Sequence, residues 1–329
     1  MNYNVIYSQI LNLPKVRIIP SGKNPNGSKR YACKPWTKKN VLKDIFGVSS
    51  DQSEAFDRAF TEVVKGKGHE QHRITTLHSS SLLGLLTFFN VSETNPVFIS
   101  GKKYCKAFFE VESRVFDSNA SIDVMLVSED EKTLLFLELK FTEFLSPSSH
   151  HWLSDKYFAL YGSLRDVLTK SEITVGEVKQ RNHKRRKNGT KYTTSEFKIS
   201  HVTNRKLYLG GIKQMISHLV GLIQSPASDN HAIFEEYLNG KKPRIILATL
   251  LYDPSDIREL KMLFEDYKAL YCSIFSKEND IPGKIKTFIG AGDSYNVEIL
   301  SAPLTYQKDV RDENGQLPFL SNVKSIYRF

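Results

Sequence analysis

Asp123, Glu138 and Lys140 are the residues whose types and spacing could do chemistry. Each interrupts a run that otherwise reads as a buried strand: ASIDVML (120–126) for the first, TLLFLELKF (133–141) for the other two. Strand side chains alternate, so Glu138 and Lys140 share one face while Leu137 and Leu139 share the other. Two acids and a lysine on one face can hold a divalent cation and a water, which is the chemistry of phosphodiester cleavage. The same spacing also arises in a structural salt bridge on a solvated sheet face. The apolar flanks of Glu138 point to burial, and buried charged groups held close together are candidates for a functional site.

The elements that must position these residues follow from periodicity. Asp51 with Glu54 resembles a helix start, and Phe56, Ala59, Phe60, Val63 and Val64 then recur at helical spacing. Residues 69–90 read as a second helix whose stripe is Ile74, Leu77, Ser81, Leu85 and Phe88. Running that stripe back four residues reaches Glu70, which either joins the site or lies in solvent before the helix begins. YCKAFFEVESRVF (104–116) alternates as a strand, and with 121–127 and 133–141 it forms a meander. Glu110 and Glu112 on its first strand compete with Glu70 as a further acid, Glu112 more strongly.

HWLSDKYFALYGSLRDVL (151–168) reads as helical, and 180–195 as an exposed loop or hairpin tip rich in Lys and Arg. LYLGGIKQMISHLVGLIQ (207–224) is a helix with Ile212, Met215, Ile216, Leu219 and Leu222 inward. RIILATLLY (244–252) is a strand buried on both faces, and an amphipathic helix follows over 257–274. Residues 280–329 read as short strands and turns. The order gives an α/β fold: helix, three-strand meander, helix and strand, with a long insertion and extra terminal elements. We place an N-terminal extension at 1–50, a core at 51–275 with an insertion at about 142–206, and a C-terminal segment at 276–329 packed on the core.

The 329 residues carry a net charge of +10, which favours a polyanionic partner. Cys33, Cys105 and Cys272 are far apart, which argues against a disulfide framework or zinc cluster and for a reducing, cytoplasmic setting. No signal peptide is expected at MNYNVIYSQILNLPKVR. The longest apolar runs fall short of the ~20 residues that span a bilayer. GAGDS (290–294) lacks the Lys-Ser/Thr of a phosphate-binding loop. His150, His151 and Trp152 read as local packing, and His218 as a residue that caps or packs its helix. Lys184, Arg185, Arg186, Lys187 and Lys191 could grip a phosphate backbone or form a solvated loop.

Asp123 followed by Glu138-Leu139-Lys140 resembles motifs II and III of the PD-(D/E)XK nuclease superfamily. With GKGHE (66–70) and LHSSSLLGLLTFF (77–89), the chain is similar to a largely uncharacterised bacterial branch of it. Ile122 stands where the superfamily's name has proline. The resemblance implies a restriction-endonuclease-like core, with Glu70, Asp123 and Glu138 as metal-binding acids. Lys140 would be the motif lysine and Gln214 the glutamine of the helix that follows. It further implies an Mg²⁺-dependent deoxyribonuclease, with Mn²⁺ as a substitute, acting on double-stranded DNA in restriction or defence. A homodimer is expected if both strands are cut in one event, and a companion methyltransferase if the role is restriction. The alternatives are a nuclease of repair, recombination or mobile elements, and a non-catalytic nucleic-acid binder with the same fold.

Overall fold

The computed structural model describes residues 18–23, 29–33, 39–65, 74, 79–145, 147–184, 190–224, 236–238, 242–291, 296–327 and 329. The chain is mixed α/β. A hairpin of β1 (Ile18–Lys23) and β2 (Lys29–Cys33) precedes helices α1 (Lys39–Phe46), α2 (Ser53–Lys65) and α3 (Ser80–Phe88). Next come β3 (Val97–Ile99), β4 (Lys102–Val115), β5 (Ser118–Ser128) and β6 (Thr133–Lys140), a run of antiparallel neighbours. Between β6 and the next long helix lie β7 (His150–Ser154), short helices α4 (Phe158–Ser163) and α5 (Arg165–Lys170), β8 (Ile173–Val175), β9 (Lys179–Lys184) and β10 (Lys191–His201). Helix α6 (Leu209–Gln224), β11 (Arg244–Leu251) and helix α7 (Arg258–Ile274) return the chain to the core. Helix α8 (Ile281–Ile289), β12 (Val297–Ile299), β13 (Leu304–Thr305), β14 (Val310–Arg311) and helix α9 (Ser321–Tyr327) complete it.

The main sheet has the order β12-β11-β6-β5-β4-β3-β14, and β13 also pairs with β11. Strands β11 and β6 are parallel, so the chain between them must cross back over the sheet. Helix α6 is part of that crossing. It packs against β4, β5 and β11, covering the face opposite α3. Every residue of β6 is buried, which is why its sequence shows a nearly continuous apolar run. The C-terminal segment extends the same sheet at both edges, through β12 and β13 on β11 and β14 on β3.

Three readings of local structure require correction. Helix α3 begins at Ser80, and residues 69–73 and 75–78 of the longer helix expected over 69–90 lie outside the described residues. Ser79 is extended and caps α3, accepting from the Leu82 N–H, and Ile74 lies in a turn before it. Residues 150–154 are a strand, because their neighbour is β10 rather than the next helical turn. The C-terminal region contains helices α8 and α9 as well as short strands.

Helix α3 lies close to β6. A Cβ built on Gly84 would sit 2.1 Å from Leu139 Cδ1, on the residue between Glu138 and Lys140. Gly84→Ala therefore overpacks this contact, and a loss of about 1–3 kcal/mol in urea denaturation is expected. An unchanged midpoint would mean that Leu139 repacks freely.

Candidate active site

The β5–β6 ladder closes at Val124–Leu137, and Asp123 and Glu138 are the next residues along each strand. Beyond that pair a side chain takes over the pairing: Asp123 Oδ2 accepts from the Leu139 N–H at 2.7 Å. Val124, Leu137 and Leu139 share the face under α3. Asp123, Glu138 and Lys140 therefore share the other, under α6. The three residues singled out first in the sequence are thus brought together, as their alternation requires.

Glu138 and Lys140 are buried, 3% and 4% exposed. Lys140 Nζ donates to Glu138 Oε1 at 2.5 Å. The other carboxylate oxygen, Oε2, lies 2.8 Å from His218 Nε2 on α6. His218 is therefore more than a packing or capping residue, because it joins the helix to the site. Its Nδ1 is buried with no hydrogen-bond partner among the described residues. Beside Glu138 on β11, Thr249 donates to Met215 Sδ on the same helix. Burial works against a charge on Glu138, but Lys140 and His218 outweigh it and hold the carboxyl down at about 2. Burial likewise opposes the Lys140 ammonium, and Glu138 overcomes it, raising the lysine well above its ordinary range. Asp123 goes the other way. Burial and then the neighbouring Glu138 charge push its carboxyl well above the usual value, with Lys140 only partly offsetting them.

Gln214 lies one turn before His218 on α6 and is half-buried; among the described residues it makes no hydrogen bond to Asp123, Glu138 or Lys140. Glu112 accepts from Asn119 Nδ2 at 2.8 Å, and Glu110 from Ser121 Oγ at 2.8 Å. Of these two acids, Glu110 is the one whose charge raises Asp123. Glu70, Arg185, Arg186 and Lys187 lie outside the described residues, as does the side chain of Lys184. Lys191 is exposed at the start of β10.

Two neighbours went unrecognised in the sequence. Lys213 is pushed down by burial and by nearby Lys156, and it feels the Glu138 charge; its Nζ sits 5.6 Å from the Tyr157 ring centre. Tyr208 is raised by burial, and Lys140 opposes that rise. His218 could have been suspected, because it lies four residues after Gln214 on an otherwise apolar stripe, where a buried imidazole needs a partner.

Among the described residues, no three His, Cys, Asp or Glu side chains converge as a ready ligand cage. Asp123 and Glu138 nonetheless fit a hard divalent cation that keeps water and phosphate oxygens in its shell. Asp123 Oδ1 has no donor among the described residues. Glu138 uses one acceptor position on each oxygen out of the roughly four a carboxylate offers. The upward push on Asp123 is what a bound cation would relieve. Among the described residues no helix is long and apolar enough to cross a membrane. Comparison of the chain with protein-family models, curated proteins and solved structures found no match.

Proposed function

We propose that the chain is a metal-dependent deoxyribonuclease of the PD-(D/E)XK kind, cutting double-stranded DNA in restriction or defence. The observation that carries this reading is the grouping of Asp123, Glu138 and Lys140 on one sheet face, with Asp123 pushed up by burial and then by the Glu138 charge. The antiparallel β4-β5-β6 meander, with β11 parallel beside it and helices on both faces, supports a restriction-endonuclease-like core. The net charge of +10 suits a polyanionic substrate.

Asp123 and Glu138 would hold Mg²⁺, with Mn²⁺ as a substitute. When bound, such an ion polarises a phosphoryl oxygen and makes its water a better nucleophile. Lys140 remains protonated, so it stabilises negative charge on the phosphate rather than acting as a base. His218 fixes the rotamer of Glu138 from the far side. Lys213, near the same carboxylate, adds a second cation for the substrate. A homodimer would set two such sites against the two strands, and a companion methyltransferase would protect host DNA.

A second reading is a non-catalytic nucleic-acid binder of the same fold. It is favoured by one observation: both Glu138 oxygens already accept hydrogen bonds. Incubation with plasmid and genomic DNA in Mg²⁺, Mn²⁺ or EDTA separates the two readings. Cleavage is expected with either metal and none in EDTA. DNA binding without cleavage under any of these conditions would move the assignment to the binder.

A further inference from the structure

We infer that the solvent face of the sheet formed by β7, β10, β9 and β8 is a binding platform for single-stranded nucleic acid. This goes beyond the nuclease reading and does not rest on it, since it concerns binding by a separate surface.

Register assigns the side chains of this sheet to its faces. Tyr192 pairs with His183, Thr194 with Arg181, Glu196 with both Lys179 and Ser154, Lys198 with Trp152, and Ser200 with His150 and Thr174. Paired residues share a face, so these form one surface. Leu153, Phe197, Ile199 and Ile173 point the other way and are buried. Phe197 packs there edge-on against Phe158 and Tyr161. The inner face alone accounts for the sheet's packing, and the composition of the outer face needs another reason.

That outer face carries Lys179, Arg181 and Lys198, with His150 and His183, against a single acid, Glu196. It also carries two large rings, Trp152 and the 43% exposed Tyr192. Each ring is held by a neighbour bearing nitrogen donors. The Arg181 guanidinium lies 4.3 Å from the Trp152 ring centre, and the His183 ring stacks on Tyr192 at 5.0 Å and 20°. Glu196 anchors this arrangement, accepting from Arg181 at 2.8 Å and lying 3.1 Å from His183. Rings fixed by neighbouring side chains on an exposed sheet can stack successive bases while nearby Lys and Arg meet phosphates. A duplex keeps its bases stacked internally and cannot use such rings. Strand β7 leads directly into Lys156 and Tyr157, which lie beside Lys213, so the platform connects to the edge of the candidate active site.

The test is fluorescence anisotropy of the full chain in EDTA, with labelled oligo-dT and oligo-rU of about fifteen nucleotides and a duplex of equal length. Tighter binding of either single strand than of duplex is expected, with affinity falling about fivefold or more in Tyr192→Ala. Lys198→Glu should weaken binding and flatten its salt dependence. Both positions are exposed, so these variants should fold. A preference for oligo-rU over oligo-dT would identify RNA as the occupant, and the reverse single-stranded DNA. Duplex bound as tightly as either single strand, or single-strand affinity unchanged in both variants, would overturn the assignment.

Discussion

Lys140→Met is expected to cost about 3–5 kcal/mol of folding stability at neutral pH, the usual penalty for removing one partner of a buried ion pair. Lys140 and Glu138 are both buried, and the bond between them occupies one of the two carboxylate oxygens. Without the ammonium, Glu138 keeps only His218 as a partner among the described residues, in a site that water barely reaches. The double change Glu138→Leu with Lys140→Met removes both charges, so its cost should be well below the sum of the single costs. Additive costs, or a neutral Lys140→Met, would show that the pair contributes little to the fold.

The same pair sets a pH dependence. Folding lowers the Glu138 carboxyl from 4.5 to about 2. Its contribution, on the order of 3 kcal/mol, is therefore present above the unfolded value and lost as pH falls towards 2. The raised Lys140 contributes below its ordinary value of 10.5, and that share is lost as pH rises through its folded value. Urea denaturation of wild type between pH 5 and pH 2 should show the acid-side loss, and the Glu138→Leu/Lys140→Met variant should show less of it.

The meander and its charged triplet were legible in the sequence because a strand's alternation is local. Glu138 and Lys140 had to share a face wherever β6 lay, and Asp123 joined them once the two strands paired. What periodicity does not show is set by distant partners or by local capping residues. Trp152 sits on a strand because β10 lies beside it, and helical spacing over 151–168 carries no trace of that neighbour. His218 meets Glu138 from eighty positions away. Helix α8, by contrast, was signalled locally: Asp280 caps it, Pro282 sits in its first turn and Gly290 closes it with a positive φ. The Ser-rich start of α3 reads as helix interior from periodicity alone, whereas Ser79 is its cap.

Asp123→Asn is expected to stabilise the apoprotein at neutral pH while lowering cleavage by at least about a hundredfold. The two effects have one cause. Burial and Glu138 raise the Asp123 carboxyl, so its contribution to stability is fully present below its unfolded value and is lost as pH rises through its folded one. Asparagine keeps an acceptor for the Leu139 N–H and carries no charge, so it avoids that loss. It also withdraws one of the two carboxylates offered to the cation, and metal assistance is worth several kcal/mol in the transition state. Mg²⁺ should consequently raise the melting temperature of wild type more than that of Asp123→Asn, because only wild type offers the ion this second buried carboxylate. Thermal denaturation with and without Mg²⁺, beside plasmid cleavage, reads both effects on the same samples. An Asp123→Asn variant that is less stable without metal and shifts equally with Mg²⁺ would place the metal somewhere other than this carboxylate.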